Sequence, residues 1–90
     1  MKLSFMPEAW EDYLYWQRTD PKMLGRINEL LRDTVRSPFR GIGKPELLRE
    51  TWSGWWSRRI DTEHRFVYRI VGKGDDQLLE IAQCRFHYER

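Results

Sequence analysis

Leu24, Ile27, Leu30, Leu31 and Val35 recur at the spacing of one helical face, whereas beyond residue 56 the pattern alternates residue by residue. Trp56, Arg58 and Ile60 alternate with Ser57, Arg59 and Asp61. Phe66, Tyr68 and Ile70 alternate with Arg65, Val67 and Arg69. This change of period, from 3.6 to 2, assigns the first part of the chain to helices and the second to a sheet. The punctuation agrees. Lys2 to Met6 is a short apolar strand, and Pro7 suits a first helical position, where its missing N–H costs nothing. Trp10, Tyr13, Leu14 and Gln17 share a face of a helix expected to end near Arg18 or Thr19. Asp20-Pro21 reads as an N-cap with a first-turn proline, and Ser37-Pro38 stops the second helix. Leu47 to Thr51 is a candidate short strand, Thr62-Glu63-His64 a turn, and Gly72 to Asp76 a strong turn signal. Leu78 to Tyr88 is the last strand, with Ala82, Cys84 and Phe86 on its apolar side. The order β-α-α-β-β-β-β is that of an α+β fold, a helical hairpin packed on one face of a mainly antiparallel twisted sheet. At 90 residues the chain is expected to form one domain, 1–90.

Several classes of protein are disfavoured. A single cysteine, Cys84, rules out an internal disulfide framework. Two histidines and one cysteine give no zinc-ligand spacing, and neither a metal nor another cofactor is expected. The opening residues hold too short an apolar run for a signal peptide, and no run approaches the roughly 18 residues of a membrane span. A cytoplasmic location away from membranes is the expectation. The two glycines of Arg40-Gly41-Ile42-Gly43-Lys44-Pro45 lack the spacing and the Lys-Ser/Thr ending of a phosphate-binding P-loop. The net charge is only +2, but basic residues outnumber acidic ones nine to four between Arg36 and Lys73, and both flanks are mildly acidic. By alternation Arg59, Arg65, Arg85 and His87 should share the sheet face away from the helices. Such a face is suited to an anion, although a solvated arginine-rich face would read the same way.

Several motifs resemble a known family. Lys44-Pro45-Glu46-Leu47-Leu48, Ser53 to Ile60, Glu63-His64-Arg65-Phe66-Val67-Tyr68, Cys84-Arg85-Phe86-His87-Tyr88 and the opening stretch with Trp10 and Asp12 to Gln17 are similar to YoeB-type toxins of the RelE/ParE superfamily. The similarity runs over nearly the whole chain. It implies a compact RelE-like ribonuclease fold that cleaves messenger RNA in the ribosomal A site. It also implies an antitoxin partner of the YefM kind, which wraps the toxin and disturbs its active site. Family habit and the tryptophan-rich segments suggest a homodimer, with 2:2 or 2:1 complexes with antitoxin. By resemblance Glu46 is the general base, Arg65 stabilises the transition state, His87 is the general acid, and Tyr88 positions the substrate. Lys44, Arg49 and Arg59 occupy basic positions near the groove, and Arg85 is read with them as a substrate contact. The chain departs from the family pattern where Glu89 and Arg90 follow the His-Tyr pair, and where Arg49 stands in place of a common lysine.

The chemistry can be reasoned without the resemblance. Cutting RNA with side chains alone takes a base for the 2′-hydroxyl proton, an acid for the departing 5′-oxygen and positive charge for the phosphorane-like transition state. Glu46, His87 and Arg65 are the right types. An arginine-rich site weakens a carboxylate base and depopulates an imidazolium acid. The free protein is therefore expected to be a feeble nuclease, with the ribosome supplying orientation worth about 7–11 kcal/mol. His64 is assigned a structural role in its turn and Cys84 a buried one. Trp52, Trp55 and Trp56 are read as packing or interface residues ahead of base stacking. Two rival functions stay open: a non-catalytic RNA- or ribosome-binding module, and a gyrase poison of the ParE kind.

Overall fold

A computed structural model describes residues 1–88, so the Glu89-Arg90 extension lies outside the described residues. The order is β1 (Lys2–Phe5), α1 (Pro7–Thr19), α2 (Pro21–Arg36), β2 (Glu46–Leu47), β3 (Trp56–Arg59), β4 (Arg65–Val71) and β5 (Leu78–Gln83). The five strands form one sheet in the order β1-β5-β4-β3-β2. β1 runs parallel to β5, and every other pair is antiparallel. The α+β architecture is the one its sequence pattern predicts.

Both helices begin as the sequence implies. Pro7 starts α1. The Asp20 carboxylate accepts the backbone N–H groups of Lys22 and Met23 at 3.1 and 3.2 Å, capping α2. Such caps typically contribute about 1 kcal/mol. The buried side of α1 is rotated from the expected one. Ala9, Asp12 and Trp16 face the sheet, while Trp10 is 47% exposed and Gln17 lies in solvent. Polar anchoring sets this rotation: Asp12 Oδ2 accepts the Cys84 N–H at 3.0 Å, and Trp16 Nε1 donates to the Cys84 carbonyl at 2.8 Å. On α2, Ile27 and Leu30 are fully buried, but Val35 at the end of the stripe is 38% exposed.

The sheet has two differently covered faces. Against the helices pack Ile60, Phe66, Tyr68, Leu79, Ile81 and Cys84, with Trp56 and Ile70. On the other face a smaller cluster of Leu48, Val67 and Ala82 is covered by Trp52, Trp55 and Tyr88.

Two strands are shorter than the sequence reading has them. After Leu47 the chain closes on itself in tight turns, with Leu48 N–H to Trp55 O, Trp52 N–H to Arg49 O and Ser53 N–H to Glu50 O. Only Glu46 and Leu47 remain to pair with β3, in place of the expected Leu47 to Thr51. β5 ends at Gln83 rather than Tyr88 because its register slips: Val67 faces Gln83, but Tyr68 faces Ile81. Ala82 is thus an inserted residue, a bulge that reverses the parity of everything after it. Ala82 lies away from the helices and Cys84 toward them, and Phe86, expected in the core, is 39% exposed. Among the described residues no helix is long and apolar enough to cross a membrane.

Candidate active site

The open face is organised by one row of cross-strand neighbours. Glu46 pairs with Ser57, Ser57 with Val67, and Val67 with Gln83. Residues opposite one another share a face, so Glu46 projects on the side away from the helices. Arg59 and Arg65 face each other in the neighbouring row. Alternation puts them on the same side as Val67.

Three strand spacings, about 14 Å, separate the two ends of the Glu46 row. His87 and Tyr88 follow the far end, so they approach Glu46 only if the chain folds back. It does. Phe86 adopts a positive φ of 64°, and the Gln83 side-chain amide gathers the carbonyls of Arg85, Phe86 and His87 at 2.9, 3.4 and 3.1 Å. Tyr88 then lies over Leu48, Val67 and Ala82. It lines one cleft of about 230 Å³ with Glu46, Leu47, Leu48, Arg49 and Glu50. The His87 ring lies 4.1 Å from the Tyr88 ring, centroid to centroid, and is solvent-exposed.

The basic residues divide into two kinds. Arg58 lies on the helix side and is completely buried. Its guanidinium donates to Asp33 Oδ2 at 2.7 Å and to the carbonyls of Ser37, Arg40 and Ile42 at 2.6, 3.0 and 3.1 Å. Its Nε reaches the Tyr68 hydroxyl, which donates to the Pro38 carbonyl at 2.6 Å. Arg58, the Ile42 N–H and Arg36 hold the Asp33 carboxyl below its ordinary pKa, against the opposing effect of burial. Burial raises the Tyr68 phenol, with Arg58 working against it. This network ties down the segment from Ser37 to Ile42, and Arg59 N–H to Gly43 O at 2.7 Å extends the fastening toward Glu46. Gly41 is required there, since a Cβ would meet Asp33 Oδ2 and φ is 122°.

Lys44, Arg49, Arg59 and Arg65 are different. Among the described residues none has a carboxylate within ion-pair distance. Arg65 is oriented by its Nη1, which donates to the carbonyls of Asp61 and His64 at 3.0 and 3.1 Å. Arg85 departs from the expected face. Beyond the Ala82 bulge its guanidinium lies 3.5 Å over the Tyr15 ring of α1 and 4.3 Å from the Phe86 ring. The structure thus brings Glu46 and Tyr88 into one cleft with Arg49, puts Arg59 and Arg65 on the same sheet face, and removes Arg85 to the helix side.

A family model described as the YoeB-like toxin of bacterial type II toxin–antitoxin systems matches residues 5–88. The chain belongs to this family. The toxin YoeB of Escherichia coli strain K12 is 57% identical over 88 residues, which cover 98% of this chain and 100% of that one. A YoeB/ParE toxin from Agrobacterium tumefaciens is 56% identical and superposes with a TM-score of 0.94 over 98% of this chain and 100% of its own. A chain of the heterotetrameric YoeB–YefM toxin–antitoxin complex from Staphylococcus aureus is 46% identical, with a TM-score of 0.85 over 98% of each chain. The fold and the toxin class of the YoeB family are therefore those of this chain.

Sequence reasoning did not single out Asp33, Arg58 or Gln83 as residues that hold the site, and gave His64 a structural role only within its own turn. A signal was present for Arg58. It occupies a core position between Trp56 and Ile60, and a charge at such a position demands a buried partner.

Proposed function

We propose that this toxin is a ribosome-dependent endoribonuclease that cuts messenger RNA in the A site and so stops translation. The observation that carries the reading is the cleft that Glu46 shares with Tyr88, beside the His87 ring. Glu46 takes the proton of a ribose 2′-hydroxyl. The 2′-oxygen bonds to phosphorus as the bond to the 5′-oxygen breaks, and His87 protonates that leaving oxygen. Arg65 meets the charge that builds on the phosphorane. Tyr88 supports the nucleotide, while Lys44, Arg49 and Arg59 hold the flanking phosphates. Arg85 has no part, because its guanidinium is stacked on α1. The products are a 2′,3′-cyclic phosphate and a 5′-hydroxyl.

The partners in this reading are the ribosome with its message and a YefM-like antitoxin. The Staphylococcus aureus structures of a YoeB dimer and a YoeB–YefM heterotetramer support a homodimer and an antitoxin complex here. We read residues 1–90 as one domain working in the cytoplasm, where ribosomes are.

The test is cleavage mapping on a translated message, with analysis of the end groups. Glu46→Gln and His87→Gln should each lower the cleavage rate by about 10²–10⁴-fold, the usual weight of an acid or a base. Growth arrest that survives both substitutions would leave a binding module, and arrest traced to gyrase would leave a poison of the ParE kind.

A further inference from the structure

The turn that carries His87 and Tyr88 back over the sheet is held at its midpoint by a side chain with no role in the chemistry above. The Phe86 N–H donates to Nδ1 of His64 at 2.7 Å, across 22 residues of sequence. On its other side the Phe86 carbonyl accepts the Arg65 N–H at 2.9 Å. His64 is itself built in. Its backbone N–H donates to Asp61 Oδ1 at 2.7 Å, and its carbonyl accepts the Ile60 N–H at 3.0 Å. Its ring meets Trp16 of α1 edge to face at 4.9 Å, and its side chain is only 12% exposed. Trp16 in turn donates to the Cys84 carbonyl, two residues before Phe86. His64 therefore joins the β3–β4 turn, α1 and the returning chain.

A backbone N–H can only donate, so Nδ1 must accept and carry no proton. The neutral ring has its proton on Nε2, which lies 3.6 Å from Glu63 Oε1. An imidazolium has N–H at both nitrogens, and no ring rotation would then offer Phe86 an acceptor. We propose that His64 is a positioning residue of the active site, whose unprotonated Nδ1 locks the turn from which His87 and Tyr88 project. The catalytic consequence rests on the endoribonuclease reading; the lock itself does not.

The charged groups on the nearby elements are Glu63 and Asp61 in the same turn, Asp12 on α1, Arg65 at the start of β4, Arg85 in the returning chain and Arg26 of α2, which donates to the Ile60 carbonyl at 3.3 Å. Protonation of Nδ1 would take away that acceptor and open the lock without unfolding the sheet.

Two measurements test this on the intact toxin released from its antitoxin. Nitrogen NMR of the histidine rings should show His64 Nδ1 unprotonated at neutral pH. The Phe86 amide should be protected from exchange and should lose that protection as His64 titrates, while the β4–β5 amides stay protected. An Nδ1–H tautomer, or a Phe86 amide indifferent to the titration, overturns the proposal. In the cleavage assay His64→Leu removes the acceptor, whereas His64→Gln keeps an acceptor oxygen that does not titrate. His64→Leu should lower kcat about tenfold, the scale of a modest positioning loss, with KM changed far less. His64→Gln should restore most of that rate and flatten the acid side of the pH profile relative to the unsubstituted toxin. Equal rates and pH profiles for all three proteins, with His87→Gln inactive in the same assay, overturn the positioning role. Full cleavage by His87→Gln instead overturns His87 as the acid of the proposed function, and the NMR result then still decides the lock.

Discussion

The segment leading into Glu46 and the segment leading into His87 both leave regular structure just before the residue they deliver, yet they are fastened differently. From Ser37 to Gly43 the chain wraps a buried guanidinium, and its carbonyls converge on Arg58, whose charge Asp33 balances. Cys84 is anchored to the Asp12 carboxylate and the Trp16 indole, and from there to Tyr88 the chain is hydrogen-bonded to neutral groups, a side-chain amide and an imidazole nitrogen. Hydrogen bonds to charged groups typically contribute about 1.5–3 kcal/mol and neutral ones about 0.5–1.5 kcal/mol. Glu46, the proposed base, is thus mounted on a costly-to-break part of the core, and His87, the proposed acid, on a more weakly held turn. Backbone strain marks both mounts. Lys44 and Phe86, just before Glu46 and His87, have positive φ values of 52° and 64°. Such conformations persist only where surrounding contacts impose them.

The sharpest way to break the comparison is Arg58→Met. It takes the buried guanidinium from the Asp33 carboxylate, leaving it the Ile42 N–H and the exposed Arg36, and leaves the carbonyls of Ser37, Arg40 and Ile42 without their donor. Removing one partner of a buried pair costs about 3–5 kcal/mol. For a domain this small, such a loss lowers the melting temperature by something of order 20 °C. The double substitution Arg58→Met with Asp33→Leu should recover part of the loss, because no lone charge remains. A melting curve for Arg58→Met that overlays that of the parent would show that the charged fastening does not set stability.

A smaller effect with a distinctive pH signature is expected from Asp33→Asn. In the folded chain the Asp33 pKa lies below the ordinary value of 3.8, with the Arg58 hydrogen bond as the main cause. A carboxyl whose pKa falls on folding adds stability above the unfolded value, and that stability is lost as the pH drops through the folded one. The variant should be less stable than the parent by about 2 kcal/mol at pH 7, the scale of a charge-assisted hydrogen bond. The gap should close below pH 4. Urea unfolding at several pH values measures it, and a gap that stays constant down to acid would remove Asp33 from the network.

The two mounts also differed in how far they could be read in advance. The helical hairpin was legible because Asp20-Pro21 and Ser37-Pro38 punctuate a helical stripe, and β3 and β4 because their alternation is unbroken. That alternation put Arg59 and Arg65 on the open face, where they are. It failed at Ala82, where an inserted residue leaves no mark in an alternating pattern, and again past Cys84, where the strand has ended and the turn at Phe86 redirects the chain, so that Arg85 and Phe86 lie off their expected sides. Glu46 and His87 were recognised through motif likeness. Nothing local could say that a two-residue strand holds one, or that a reversed turn carries the other. How the fastening residues reach both segments was not legible, because their partners lie 10 to 25 residues away for Arg58 and 22 for His64.

The least effect on global stability should come from the most local change, Gln83→Met. Gln83 is 1% exposed and ends the row that begins at Glu46. Methionine can fill the same space, and the carbonyls of Arg85, Phe86 and His87 would lose a donor while lying near solvent. A neutral hydrogen bond lost near the surface costs about 1 kcal/mol. Unfolding by urea should register little more than that, because the sheet and the Arg58 network are untouched. Amide exchange from Arg85 to Tyr88 should nevertheless accelerate, since local opening draws on the weakest contacts first. If His87 is the acid as proposed, cleavage should fall by more than the stability loss accounts for, because fewer molecules would hold it in place at any instant. Equal loss of protection across β4, β5 and the returning turn would mean that the acid's mount is not a separate unit, and the contrast with the base's mount would dissolve.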